Sequence, residues 1–474
     1  LLQYTTGINT FRYDEPEFSL LVTLSDRVAL WSPYQSPDGR MTIALAGRIA
    51  LSEPEWEAAR EVAGEGGLAC KAIYSAFTRH REKAFGTLNG SFVLAVVDAA
   101  ADVVYLVSDR CGMSPLFVYR SGQWPVYCTH QDVLAACGPS RGYDRVSLCE
   151  FLATGRVTFP FTYHADVRAA EYGSIHIVAL TPIGPQPATP TRYFSRTYHA
   201  DASESAEEFA IRLSSALKRS VERRSHRLLG RTALGLSGGL DSRTILCAAS
   251  APEEVYTYCL HDAENREFRT ARAIAKAVGS PFLPLRRSVE YYGEAAALGV
   301  RISGGTGNLL SNHLLGSRDR LLDEGYENIL NGQYCDYLFK GLAQNCVTNT
   351  FTQEAAPAPF SLDWYTLDRF QLPATEMEGV TERLEVLFPR ELRADPSEEA
   401  RLEVEGRRLF PLCYEPENPE VLIPQRTLGW YMPPLDNDVL DVYFSMPARL
   451  KFDRTMSEQV VASIGPPKVC AIPN

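Results

Sequence analysis

The sequence predicts a chain in two parts of different class. Residues 1–190 read as α+β, with antiparallel sheets and helices laid against them; residues 191–474 read as α/β, a helix-rich part built on a parallel sheet. Three observations predict this. Up to Leu180, apolar strand-like segments are joined by short polar turns, and helical patterns intervene only now and then. The stretch "TPIGPQPATPTRYF" (181–194) then carries four prolines, which propagate neither sheet nor helix, so it reads as a linker. Beyond it strand and helix patterns alternate, and that order calls for parallel strands with crossover helices.

In the first part the strands are "MTIALAGRIAL", "SFVLAVVDAAADVVYLVSDR", "LFVYRSGQWPVYCTH" and "SIHIVAL". Ser121-Gly122 reads as a hairpin turn and Leu68 to Arg79 as a helix. After the linker, "TALGL" is a short strand, "SRTILCAAS" a helix and "EVYTYCL" a strand. In "ENREFRTARAIAKAVG" the residues Phe268, Ala271, Ile274, Ala275 and Val278 share one helical face, and Gly279 is the stop. "FLPLR" is the next strand.

Composition narrows the partners. The 474 residues are 45% hydrophobic and 22% charged, as in an ordinary globular chain. A formal net charge of −11 without any basic block argues against nucleic acid or an anionic membrane as partner. The eleven cysteines never form C-x-x-C, which reads as reduced thiols and neither a zinc site nor a disulfide framework. The opening "LLQYTTGINTFRYDEPE" lacks the layout of a signal peptide, and no run reaches membrane-spanning length, so a cytoplasmic location is expected.

Chemistry concentrates in "LGLSGGLDSRTIL" (234–246), at the carboxyl end of a strand, where open parallel sheets bind ligands. Gly238 and Gly239 let the backbone approach an anion closely, and the following helix aims its free N–H groups at it. Ser237 and Ser242 add hydroxyl donors. Asp241 would repel a phosphate unless a divalent cation stood between them, so its presence predicts Mg²⁺. The G-K-[ST] ending of a Walker A loop is missing.

"LSGGLDS" resembles the pyrophosphate loop of the N-type ATP pyrophosphatases. "LNGSFVLAVVD" (88–98), "SDRCGMSPLFVY" (108–119), "THQDVLAACG" (129–138), "NGQYCDYLFKG" (331–341) and "MPPLDNDVLDVYFSMPARLK" (432–451) resemble, in order, motifs of the asparagine synthetase superfamily. The likeness covers roughly residues 40–345 and 425–470; the segment from about 345 to 425 resembles nothing placed. It implies an Ntn-hydrolase-like, glutaminase-like domain over 1–190 and an ATP-pyrophosphatase synthetase domain over 191–474. By the same likeness ATP lies with its pyrophosphate on Ser237, Gly238, Gly239 and Ser242, near Gly332, and a substrate carboxylate attacks the α-phosphorus to give an acyl-adenylate. Asp241 and Asp336 would hold the Mg²⁺, and Leu236 and the backbone from Tyr256 to Tyr258 would line the adenine pocket. For Asp336 the other reading is a helix cap; for Leu236 and Tyr258 it is strand core. A homodimer is also implied.

Departures from the pattern choose the branch. A working glutaminase of this family needs an amino-terminal cysteine, but this sequence begins Leu1-Leu2 and its earliest cysteine, Cys70, falls in a helical pattern. "LAGRIALSE" keeps only the outline of the family's "NGEIYN" region. Three residues before Asp336, where asparagine synthetases usually have an acidic residue and β-lactam synthetases a tyrosine, stands Gln333, whose amide can orient a nucleophile but cannot accept its proton at pH 7. Deprotonation then falls to Tyr334 or to Lys468 in "GPPKVCAIP", the latter equally readable as an exposed surface lysine. The expectation is an ATP-dependent, AMP-forming amide ligase acting on a small molecule or peptide that carries both carboxylate and amine. That is the profile of β-lactam synthetases and lasso-peptide macrolactam cyclases of specialised, antibiotic metabolism. The alternatives are a glutamine-dependent asparagine synthetase whose cysteine is absent from this sequence, and a non-catalytic nucleotide-binding scaffold.

Overall fold

The computed structural model describes residues 8–16, 18–25, 30–119, 125–137, 142–200, 203–341, 346–348, 355–357, 360, 362, 371–451 and 455–473. The expected Ser121-Gly122 hairpin turn lies outside them.

Alternation builds the first part. The strands Met41–Ile49, Gly90–Asp98, Val103–Ser108 and Ser174–Thr181 pair antiparallel inside a seven-stranded sheet. Ile43, Leu45, Phe92, Leu94, Val96, Tyr105 and Val107 face one way and share a core with Trp56, Ile73 and Phe77 of the helices Glu53–Arg60 and Leu68–His80. Val97, Val104 and Val178 face the other way, where Tyr127 of a three-stranded antiparallel sheet packs on them. The antiparallel sheets are therefore stacked, as the sequence predicts.

The expected linker is corrected. Gly184–Pro187 pairs antiparallel with the strand Ser174–Thr181, and Thr191–Arg192 returns along the same strand. Prolines are tolerated there because this is the edge of the sheet, where missing N–H donors leave no ladder bond broken.

The second part holds a five-stranded parallel sheet. Its order is Phe282–Arg286, Tyr256–His261, Thr232–Gly235, Asn328–Leu330, Gly429–Tyr431. The helices Leu240–Ala248 and Arg266–Val278 make the first two crossovers. Gly279 ends the second at φ +78°, and Phe268, Ala271, Ile274 and Ala275 are its buried face. After Phe282–Arg286 the chain returns to the other side of Thr232–Gly235, so strand order reverses at that central strand. Its carboxyl end is the switch point at which such sheets bind ligands.

The two parts interlock. Helix Ala374–Leu387, from the segment unlike anything placed, lays Val380 and Leu384 against Val146 and Cys149 of helix Arg145–Thr154. Arg383 pairs there with Asp144 at 2.9 Å and Glu150 at 3.2 Å. Deeper in, two sequence motifs meet: Asn89 donates to Asp436 Oδ2 at 2.9 Å and accepts from Arg224 at 3.1 Å. Arg224 also pairs directly with Asp436. Among the described residues no helix is long and apolar enough to cross a membrane, and the ten described cysteines are free thiols.

Candidate active site

The Ser237 loop leaves the carboxyl end of the central strand, as the sequence predicts, with the Leu236 N–H donating to Tyr258 O at 2.8 Å. Gly238 adopts φ +82°, where a side chain would be strained. A Cβ on it would also lie 3.0 Å from Glu267 O and 3.1 Å from Thr270 Cβ, so the loop is pressed onto helix Arg266–Val278. Gly239 begins helix Leu240–Ala248 with no side-chain cap, leaving first-turn N–H groups for an anion. Ser242 Oγ accepts from the Ser237 N–H at 3.2 Å and lies 3.3 Å from Ser237 Oγ, which closes the turn. In front lies a cavity of about 460 Å³ lined by Ser237, Gly238, Gly239, Asn265, Arg266, Glu267 and Thr270.

The loop that leads to Asp336 comes off the neighbouring strand, Asn328–Leu330, at the same edge of the sheet. Gly332 makes the approach possible: a Cβ there would sit 2.8 Å from the Asp241 backbone carbon. Asp241 and Asp336 converge on one ammonium, with Lys340 Nζ 2.7 Å from Asp241 Oδ1 and 2.6 Å from Asp336 Oδ1. Burial pushes the Asp241 carboxyl above the usual range; Lys340 opposes this and the Asp336 carboxylate adds to it. The Lys340 ammonium is lowered by burial, but the two carboxylates outweigh that and hold it charged. Asp336 lies inside the first turn of helix Cys335–Phe339, whose cap is Tyr334, so the capping alternative for Asp336 is not realised.

A divalent cation fits this pair. Asp241 Oδ1 is buried and makes no hydrogen bond of good geometry, only the ion pair with Lys340. Two carboxylates around one cationic point are the donor set on which Mg²⁺ rests when phosphates supply further oxygens. No group of three or more His, Cys, Asp or Glu able to hold a metal occurs among the described residues.

The remaining expected residues scatter. Tyr334 has φ +73°, a strained value for a bulky residue, and its ring turns into the core, 2% exposed and 5.8 Å from that of Tyr337. Burial raises its phenol well above the ordinary value. Gln333 is half-buried in the loop, its N–H bound to Asn331 Oδ1 at 2.6 Å. Lys468 is exposed on the short helix Pro467–Cys470 and does not line the cavity. The Leu236 and Tyr258 side chains are buried strand core. Cys70 is fully buried and its thiol pushed up to about 12, so it is no nucleophile.

Sequence reasoning missed Lys340, whose only signal is its place four residues after Asp336 on one helical face. Behind helix Cys335–Phe339 lies a buried carboxyl, that of Glu415. Tyr337, next to Asp336, donates to Glu415 Oε1 at 2.7 Å, and burial raises that carboxyl to about 7.

Residues 28–187 match the glutamine amidotransferase domain family, and residues 212–306 match the asparagine synthase family. The two matches, in this order, support the asparagine synthetase-like superfamily. The second points to an ATP-dependent carbon–nitrogen ligase. No curated protein matches the chain.

Solved structures similar to it include the allosteric regulatory enzyme of purine biosynthesis, with 10% identity, a TM-score of 0.25 and 54% of this chain covered. This chain spans 62% of that one. Another is glutamine phosphoribosylpyrophosphate amidotransferase from B. subtilis, with 11% identity over 80% of this chain and 75% of that one, TM-score 0.26. A third is the NH3-dependent NAD synthetase from Campylobacter jejuni, with 14% identity over 38% of this chain and 74% of that one, TM-score 0.20. All three are distant in shape.

Proposed function

We propose that the chain activates a substrate carboxylate with ATP as the acyl-adenylate, releases pyrophosphate, and lets an amine on the same substrate attack, closing a lactam or macrolactam. The observation that carries this is the meeting of Asp241, Asp336 and Lys340 beside the uncapped Ser237 loop. It offers backbone donors for a pyrophosphate and two carboxylates for the Mg²⁺ that would neutralise it. A scaffold without catalysis has no use for that pair. Lys340 is within reach to follow the negative charge of the leaving pyrophosphate.

At the seam between the two parts Arg48, in "LAGRIALSE", reaches across to Leu428 O at 3.2 Å. The cavity there, between Arg48, Gly90, Arg224 and Tyr431, is about 10 Å³, room for about one water. The amidotransferase match over 28–187 favours, as second reading, a ligase fed by glutamine.

Assayed with Mg²⁺-ATP against a panel of amino acids and peptides bearing both amine and carboxylate, the protein is expected to release AMP and pyrophosphate. The product should be lighter than the substrate by one water. ADP and phosphate would refute adenylation, and release of glutamate from added glutamine would replace the first reading by the second.

A further inference from the structure

Behind the pyrophosphate loop sits a guanidinium that the chemistry above does not use. Arg243 is 2% exposed on helix Leu240–Ala248. Its Nη2 donates to Gly238 O at 3.1 Å and its Nη1 to Ile472 O at 2.7 Å. Among the described residues no carboxylate pairs with it, and its Nε is buried without a hydrogen bond. A buried charge held by two backbone carbonyls alone is expensive to keep. Its partners show what it does.

We infer that Arg243 is a positioning residue for the anion site: it fixes the Gly238–Gly239 peptide with the N–H turned to the cavity, and it places an uncompensated positive charge behind the loop. This rests on the ATP reading above. In a trans peptide the C=O and the following N–H point in opposite directions. With the Gly238 carbonyl drawn inward by Arg243, the Gly239 N–H faces outward, toward the cavity and the exposed Ser237, whose Oγ lies 3.4 Å away. Gly238, at φ +82°, is the residue about which this peptide would otherwise flip, exposing a carbonyl where a phosphate must sit. The second bond, to Ile472 O, anchors the guanidinium on the segment after the short helix Pro467–Cys470, so that stretch becomes part of the scaffold of the loop. Burial lowers the guanidinium below its ordinary value, yet a group of this kind stays charged at pH 7.

The test compares inorganic pyrophosphate with adenosine, by titration calorimetry in magnesium chloride, on the full chain and on Arg243→Met and Arg243→Lys. Loss of one charge-assisted hydrogen bond corresponds to about a tenfold loss of affinity or more. Arg243→Met is expected to bind pyrophosphate at least about tenfold more weakly, Arg243→Lys to lie between it and the parent, and adenosine to bind all three alike. Should Arg243→Met fail to fold, Arg243→Lys alone decides, since it keeps the charge and loses the fork. Equal pyrophosphate affinity in the parent and a folded variant overturns the inference and leaves the ATP reading standing. An equal loss for adenosine also overturns it, because that is what a merely structural role would give. A parent chain that binds no pyrophosphate overturns the ATP reading itself.

Discussion

Asp241→Asn is expected to lower the rate of AMP formation about 100- to 1,000-fold while leaving the protein folded. The size follows from removing one preorganised electrostatic contact at a developing charge. The amide halves the carboxylate charge available to a cation and leaves Lys340 with Asp336 as its one ion-pair partner in this pair. Stability moves little because burial disfavours the ionised Asp241 carboxyl, and that cost offsets what its charge gives to Lys340. Turnover measured beside a thermal melt separates the two effects. Unchanged turnover would remove Asp241 from the site, and a collapsed melting temperature would make it a structural residue.

Asp436→Ala is expected to act the other way, destabilising the fold by about 3–5 kcal/mol, because it strands a buried cation. Asp436 is fully buried, and Arg224, 2% exposed, pairs with it directly. Arg223 lies 3.0 Å from its Oδ1, and Asn89 of the first part donates to its Oδ2. Burial raises this carboxyl, but Arg224 and Arg223 outweigh the burial and hold it below the usual range. A depressed carboxyl stabilises the fold in full above its unfolded pKa of about 4, and that stability drains away as pH falls through the lower folded value. Urea unfolding at pH 7 should give the loss directly. The same titration carried below pH 4 should show a shallower acid limb in the variant, and equal acid limbs would mean that Asp436 is not the linked group.

The site was half legible in the sequence, for physical reasons. Gly238 and Gly239 announce themselves because only glycine suits that φ and that approach to helix Arg266–Val278. The strand and helix alternation around them sets the sheet and its ligand-binding edge, since the pattern period is local information. Lys340 was hidden because its role depends on two loops meeting in space, and only its spacing from Asp336 is local. The burial of Tyr334 was not legible, because its left-handed backbone turns the ring into the core, which no side-chain pattern reports. In the fold, the prolines of 181–194 read as breakers because their edge position along the strand Ser174–Thr181 was invisible. The packing of helix Ala374–Leu387 on helix Arg145–Thr154 joins residues more than two hundred positions apart, beyond any local pattern.

The central claim is that the Ser237 loop and the Asp241–Asp336 pair form one site for the metal-bound pyrophosphate of ATP. Its most direct measurement is a crystal structure with α,β-methylene ATP and Mn²⁺, the metal located by its anomalous signal. The expected result is pyrophosphate oxygens on the backbone of Gly238 and Gly239 and the hydroxyls of Ser237 and Ser242, with an anomalous peak touching Asp241 and Asp336 and Lys340 moved off toward a phosphate oxygen. Nucleotide bound elsewhere, or a metal peak away from both carboxylates with Lys340 still between them, would contradict it.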